Sequence, residues 1–555
     1  MSGTASVLLR VTRSSLWVVL LATVGAGCSL VLDGSEFKPS DDGFDAGPSR
    51  DGGESEVDGS TVDDAGTNDA GSADAQTSDG GACAPPRMMC GAECVDTDTS
   101  QEHCGACDAP CAAGLSCRGG ACRPSFGPLV TFGASEIDSV RAVVADAAGN
   151  VYVTGDFAGT VNLGGDDLVS DGGGDVFVAS FGPDGSHRWS TSFGDTGDDL
   201  GRELTIDASD SLVVTGGFHG TLDLAGETVT SAGARDLFVA GFATTTGAAR
   251  WVRGYGSSGD ELGYDVASDS TGGVYVAAAH GGAFDFDGAA LPHGGDQDAL
   301  LMAFSTTSTT ITEEWAFQAG GAGEDTAGGV AMSPAGTSIC ATGTYTGGIA
   351  FGTDTLPEGG GLDVWVACLT ASGAYAWSAT FATGGVDLGE DVEFTSDGHL
   401  VGIGALGDDI TFAGETHATE GLFDIFTYSF TVDGTARWGR VLSGPSDFDI
   451  ALGLAANAGG GVIVGGQFGA TVTGEDLSMT SEGSLDAFAV GYDADGALSF
   501  HRSFGGAEDD RVLGIVAVGT ERLWLGGEFR AEVMFGSRDR TSAGSFDAYL
   551  QALEL

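Results

Sequence analysis

The segment Asp175-Val-Phe-Val-Ala179 returns six more times toward the C-terminus, in copies that begin at Asp236, Asp298, Asp363, Asp424, Asp486 and Asp547. The step is 61 or 62 residues, apart from one of 65 between Asp298 and Asp363. A fixed period of this length marks an array of like supersecondary units. Within each copy, bulky residues stand two and six places after the Asp, as Phe177 and Phe181 do in the first. That spacing puts them on one face of a strand. Five places after the Asp come Ser180, Gly241, Ala303, Cys368, Ser429, Gly491 and Ala552, all small, as close packing of neighbouring sheets demands.

Two further markers fix the number and order of the units. Tyr152-Val-Thr-Gly-Asp-Phe157 is echoed at 213–218, 340–345, 463–468 and 524–529, with weaker copies near Ala277 and Ile403, which makes seven. The aromatic that follows the Asp segment, at Trp189, Trp251, Trp315, Trp377, Trp438 and Phe500, occurs only six times. Its missing partner lies ahead of the first unit, where Leu129-Val-Thr-Phe132-Gly matches Ser190-Thr-Ser-Phe193-Gly. With four strands per unit, A to D, residues 128–133 supply a strand D, six complete sets follow from residue 139, and the last set stops after strand C at Leu555. A ring that must eliminate its sheet edges needs this offset, whereas a linear β-solenoid, the competing arrangement, does not. The chain is therefore expected to be all-β, a seven-bladed β-propeller over 125–555 closed by its N-terminal strand. Gly185, Gly247, Gly373, Gly434 and Gly496 fall at the expected C-to-D hairpin turns, and the third unit has instead a longer loop, Ser305 to Glu313.

With these motifs in place, Gly149-Asn-Val-Tyr-Val-Thr-Gly-Asp-Phe157, Asp175-Val-Phe-Val-Ala179 and Trp189 resemble the bacterial SBBP-type β-propeller repeats. The resemblance implies an exported or surface protein, generally without an assigned activity.

The region before the repeats reads as three further parts. Arg10 and Arg13 precede an apolar run, Leu16 to Val24, too short to span a bilayer, and small residues lead to Cys28. Residues 1–27 resemble a lipoprotein signal peptide, which implies lipidation of Cys28, and Ser29 rather than Asp after it favours an outer-membrane or surface location. Residues 28–82, rich in Asp, Gly, Ser and Thr, lack the apolar surface to fold and read as a disordered acidic linker, roughly 40 Å end to end as a flexible coil. Residues 83–124 hold Cys83, Cys90, Cys94, Cys104, Cys107, Cys111, Cys117 and Cys122, an even set in an exported segment too small to fold on a core alone, so disulfides are expected. Zinc at Cys104-Gly-Ala-Cys107 is the weaker reading, since no second matched pair accompanies it. The cysteine spacing resembles the small modules of the stigma-specific family and of bacterial surface lipoproteins, which implies a spacer or interaction unit.

Charge and residue inventory limit the chemistry. A formal net charge of -59 with only 21 basic residues excludes nucleic acid as a partner. Acids recur before each strand A, at Asp138, Asp199, Glu261, Asp325, Asp387, Asp449 and Asp510, one per unit. That symmetry suits backbone capping better than catalysis, and it leaves calcium as the one possible cofactor. Asp285-Phe-Asp287-Gly288 only approximates a calcium loop. His187, His219, His280, His293, His399, His417 and His501 are scattered and read as loop histidines, with no nucleophile motif beside them. No catalytic or metal residue is assigned. Cys340 and Cys368 fall on adjacent strands, where a disulfide is an open alternative to two buried thiols. The expected function is a surface-anchored lipoprotein whose propeller binds an envelope protein, a polysaccharide or an external surface component. The alternatives are a propeller-fold polysaccharide lyase or hydrolase, or a purely structural envelope spacer. A His, Glu or Arg cluster converging in the channel would favour an enzyme, and a lining of Gly, Ala and Ser would favour a scaffold.

Overall fold

The structure, a computed structural model, describes residues 7–11, 16–21, 29–32, 87–90, 93–97, 100, 103–110, 115–118, 121–124 and 126–555 except 353, 447, 475–476, 521 and 537. In the N-terminal unit, residues 1–74, the strands Val7–Val11, Leu16–Leu21 and Ser29–Leu32 form an antiparallel sheet. The apolar run read as an export signal thus enters a strand as far as Leu21, and the linker begins with four residues of strand. Residues 33–82, Cys28, Cys83 and Cys111 lie outside the described residues. No described helix is long and apolar enough to cross a membrane.

In the cysteine segment, Arg87–Cys90 pairs with Glu93–Asp96, and Leu115–Arg118 with Ala121–Pro124. Cys90 is bridged to Cys107 with a Cα separation of 5.2 Å, and Cys104 is also disulfide-bonded. The two cysteines weighed as a zinc pair are therefore both oxidised.

The repeats form seven four-stranded antiparallel sheets. Strand A is Ser139–Ala145, Leu200–Ile206, Glu261–Ser268, Gly329–Met332, Leu388–Phe394, Ile450–Ala456 and Asp510–Val518 in blades 1 to 7. Each A strand packs against the A strands of both neighbouring blades, and blade 7 against blade 1, so the A strands ring the axis. Blade 7 takes its strand D from Phe126–Phe132, which pairs with Asp547–Glu554 through Ala548↔Phe132 and Leu550↔Val130. The ring closes as the offset of the repeat requires.

What holds adjacent blades together is also periodic. The strand-D tryptophan of one blade lies against the C-to-D turn of the next: a Cβ on Gly247, Gly373, Gly434 or Gly496 would meet Trp189, Trp315, Trp377 or Trp438 within 2.8 Å. The Trp189 and Trp377 indoles donate to Thr244 and Val432 carbonyls in those turns, each at 2.9 Å. These glycines also have positive φ, so both backbone and packing demand them. Blade 3 has no such glycine, and there the fully buried Trp251 has no hydrogen-bond partner for its N–H among the described residues. At the closure, Pro128 takes the tryptophan's place beside Gly185.

The small residues of strand C have a different cause from the one expected. Gly241 faces Trp251 across the same sheet, and Gly491 faces Phe500, where a Cβ would stand 2.3 Å from the ring. The strand-D aromatic of the same blade, not a neighbouring sheet, occupies the space. Cys340 and Cys368 pair directly across strands B and C with Cα atoms 4.0 Å apart and form a disulfide in the core.

Between strands B and C most blades carry a short second hairpin, for example Thr221–Leu224 with Glu227–Thr230 and Phe284–Phe286 with Ala289–Leu291. Ala225-Gly226, Asp287-Gly288 and Ala413-Gly414 turn with positive φ at both residues, the type I′ geometry of two-residue hairpins. The Asp285 to Gly288 stretch thus forms the end of a hairpin. Phe286, Phe412 and Phe535 anchor these hairpins on the aromatic face of strand C, as in the Phe535–Tyr549 pair at 4.9 Å.

Candidate functional site

Two sets of seven residues occupy the end of the ring where strands A and C begin. The first is the recurrent acid. Asp138, Asp199, Glu261, Asp387 and Asp510 each accept the backbone N–H four residues earlier and another twenty residues later. They clamp the loop entering strand A to the loop leaving strand B. Asp325 accepts the N–H of Gly321 at 2.6 Å, and Asp449 that of Gly469 at 2.8 Å. All seven are buried, and burial pushes the carboxyls of Asp138, Asp199 and Asp387 up to about 6, Asp325 to about 7 and Asp510 to about 8. The seven Asp residues that start strand C do similar work in their own loops, as Asp236 accepts from Ala232 at 2.9 Å and Asp486 from Glu482 at 2.9 Å. Both groups of carboxylates accept backbone N–H groups of the loops around them.

The second set lies three residues beyond the recurrent acid: Arg141, Arg202, Tyr264, Gly328, Glu390, Leu452 and Leu513. In six blades this position is a β-bulge, skipped in pairing with strand B, as Arg202 is between Gly201↔Gly216 and Glu203↔Thr215. A bulge frees one side chain from the ladder and re-aims it. Arg202 lies over the Tyr264 ring of blade 3 and feels the Arg141 cation of blade 1, its counterparts in the two flanking blades, so the set runs from blade to blade along the A strands that ring the axis. The lining is asymmetric, cationic and aromatic over blades 1 to 3 and glycine, acid or leucine over the rest.

The cations differ in how they are satisfied. Arg141 grips Asp156 with Nε and Nη2, and Arg235 grips Asp260 with the same two atoms at 3.1 and 2.9 Å. Arg511 donates to Glu528 at 2.7 Å with both side chains buried and lies over the Phe546 ring at 5.0 Å. Arg202, only 6 % exposed, has its guanidinium carbon 5.8 Å from the Tyr264 ring centre, and its Nε and Nη2 have no hydrogen-bond partner among the described residues. Burial and the Arg141 cation push its pKa well below the usual range. Burial lifts the Tyr264 hydroxyl to about 12 against the pull of Arg202 and Arg235. Farther along strand A of blade 5, Glu393 is raised to about 7 by burial and by the Asp265 carboxylate of blade 3.

Sequence reasoning assigned none of these residues. The usable signal was positional: three places after an invariantly acidic position in this chain, the side chain changes in almost every unit. Of the seven histidines read as loop residues, His219, His293 and His399 lie outside strands, whereas His187, His280, His417 and His501 lie on strands. His280 is completely buried on strand B of blade 3, its Nδ1 3.0 Å from the Gly282 carbonyl oxygen. Among the described residues, no three His, Cys, Asp or Glu side chains come together as a metal site. A small cavity between blades 5 and 6 is lined by His417, Arg440, Tyr492 and Leu498, away from the channel.

No family model matches the sequence, and no curated protein matches it. Solved structures of similar fold include the β-propeller domain of Cps50 (Swd1) from Myceliophteria thermophila, at 9% identity over 76% of this chain and 99% of that one, with a TM-score of 0.38. They also include quinohemoprotein alcohol dehydrogenase from Comamonas testosteroni, at 10% identity over 78% and 76%, TM-score 0.36. BamB from Moraxella catarrhalis is similar at 13% identity over 77% and 98%, TM-score 0.33. The fold class is β-propeller.

Proposed function

We propose that this protein is a lipid-anchored surface lipoprotein whose SBBP-type propeller is a binding scaffold, with recognition at the channel mouth. One observation carries the reading: the residues that recur in every blade hold loops together, while those that differ between blades gather around the axis. In this reading residues 1–27 direct export, Cys28 carries the lipid, the acidic linker and disulfide module hold the ring away from the membrane, and the partner is an envelope protein, a polysaccharide or an external surface component. Metabolic labelling with a fatty-acid analogue tests the anchor, which requires incorporation that disappears in Cys28→Ala. A glycan array and a cross-linking pull-down with the full chain test the scaffold, and silence in both defeats it.

A second reading, a polysaccharide lyase, is favoured by the Arg202–Tyr264 contact and by Glu393 of blade 5, which feels the Asp265 carboxylate next to Tyr264. An arginine can neutralise a uronate carboxylate while another group removes the adjacent proton. The Tyr264 hydroxyl, pushed up to about 12, is a poor base at neutral pH, which is why binding stands first. The ultraviolet absorbance of unsaturated uronates, followed with acidic polysaccharides, decides between them: its appearance, and its loss in Glu393→Gln, puts the lyase ahead.

A further inference from the structure

Each arginine beside Arg202 is matched by a carboxylate of this chain through one edge of its guanidinium. Nε and Nη2 point the same way and form a planar fork that fits the two oxygens of a carboxylate. In Arg141 that edge is filled by Asp156 and in Arg235 by Asp260. The edge left without a protein partner in Arg202 is the same pair, Nε and Nη2.

The sequence explains why blade 2 differs. In blade 1 the acid that takes Arg141 lies on strand B between Gly155 and Phe157. The same place in blade 2 is Gly217, between Gly216 and Phe218. A Cβ there would stand 2.5 Å from Arg235 Cδ and 2.8 Å from Leu262 Cδ1, so the space an acid would need is already filled. Asp156, an acid whose charge reaches Arg202, is engaged by Arg141. Blade 2 therefore brings a second cation, Arg235, toward Arg202 and no carboxylate for it. A buried guanidinium with unmade hydrogen bonds is costly, and the cost falls when an anion is supplied. Tyr264 adds a flat aromatic face at 5.8 Å, beside which a sugar ring or peptide plane can lie.

We propose that Arg202 anchors a carboxylate-binding site at the channel mouth, its Nε–H and Nη2–H donating to the two oxygens of an acidic ligand. This rests on the scaffold reading and deepens it by naming the chemistry recognised. Two sources offer that group, a uronic-acid residue of a polysaccharide and the C-terminal carboxylate of a peptide.

Titration calorimetry on the purified full chain tests it with four probes: a short oligogalacturonate, its methyl ester, and one short peptide with a free or an amidated C-terminus. Binding by at least one carboxylate probe and none by its neutral counterpart is expected, and which probe binds identifies the source. Arg202→Ala should weaken that binding roughly a hundredfold, the usual scale for removing one partner of a buried charge pair. Arg202→Lys should retain only part of it, because an ammonium keeps the charge and loses the fork. The thermal midpoint of Arg202→Ala should match or exceed that of the parent, which separates a binding role from a packing role. Should that variant fail to fold, Arg202→Met keeps the aliphatic stem and carries the same comparison. Equal binding by the parent and Arg202→Ala, equal binding of acid and ester, or no binding of any carboxylate probe each overturns the inference. If the last result came with a neutral glycan or a protein captured in the broader screens, only the carboxylate assignment would fall. Silence in both would remove the scaffold as well.

Discussion

The recurrent acids and the bulge residues lie three positions apart in the chain and belong to different kinds of constraint. Asp138, Asp199 and Asp387 do one job three times, each holding the same two loops with the same two bonds. Arg141, Arg202 and Glu390 share a backbone position and little else. In a ring built from like units, what repeats reports the needs of the fold, and what departs from the repeat at a shared backbone position is not required by it.

The contrast can be attacked from the structural side first. Asp387→Ala strands the buried Thr383 N–H, the half-buried Gly407 N–H and the Thr383 hydroxyl, which should cost about 2–5 kcal/mol and show as a large fall in the thermal midpoint. A fall no greater than that of an ordinary surface substitution would mean that water or another acceptor replaces the carboxylate. The next largest effect should come from pH. Carboxyls whose folded pKa lies above the ordinary value hold a proton more tightly folded than unfolded, so their stabilisation is complete below the unfolded value near 4 and is lost as pH rises through the folded values, about 6 to 8. Scanning calorimetry at constant ionic strength should find a higher midpoint at mildly acid pH than at mildly alkaline pH, and the reverse order would contradict the burial of the ring. Gly434→Ala and Gly398→Ala make a sharper pair. Both residues have φ near +86, but a Cβ on Gly434 would press on Trp377 at 2.8 Å, whereas one on Gly398 meets nothing within 4 Å. The first should lose about 2–3 kcal/mol and the second about 1 kcal/mol, and equal losses would show that the tryptophan staple adds nothing. The smallest change belongs to the channel: Glu393→Gln removes a carboxyl held near 7 and should leave the midpoint at neutral pH unchanged or slightly raised.

How legible all this was follows from where the repeat speaks. Strands B, C and D carry aromatic and glycine positions at a fixed period, so their number, their order and a displaced strand at 128–133 could be read directly, and the structure forms that strand over Phe126–Phe132 and pairs it with Asp547–Glu554. The short hairpins between B and C were missed because strands of two to four residues leave almost no alternation, although Ala225-Gly226, Asp287-Gly288 and Ala413-Gly414 are turn signals in plain sight. The channel residues were illegible for a different reason. A bulge inserts one residue and inverts the alternation beyond it, so Arg202 could be aimed at the axis only once the pairing Gly201↔Gly216 and Glu203↔Thr215 was known. Cys340 and Cys368 show the same limit, since adjacency was readable and direct register was not.

The closure of the ring has a mechanical side. Phe126–Phe132 is at once the outer strand of blade 7 and the covalent route from the ring to every residue N-terminal of it. Tension applied to the chain from its N-terminal side would load that ladder before any other blade felt it. The latch is then also the fuse: how hard the ring can be pulled from that side is set by one strand pair.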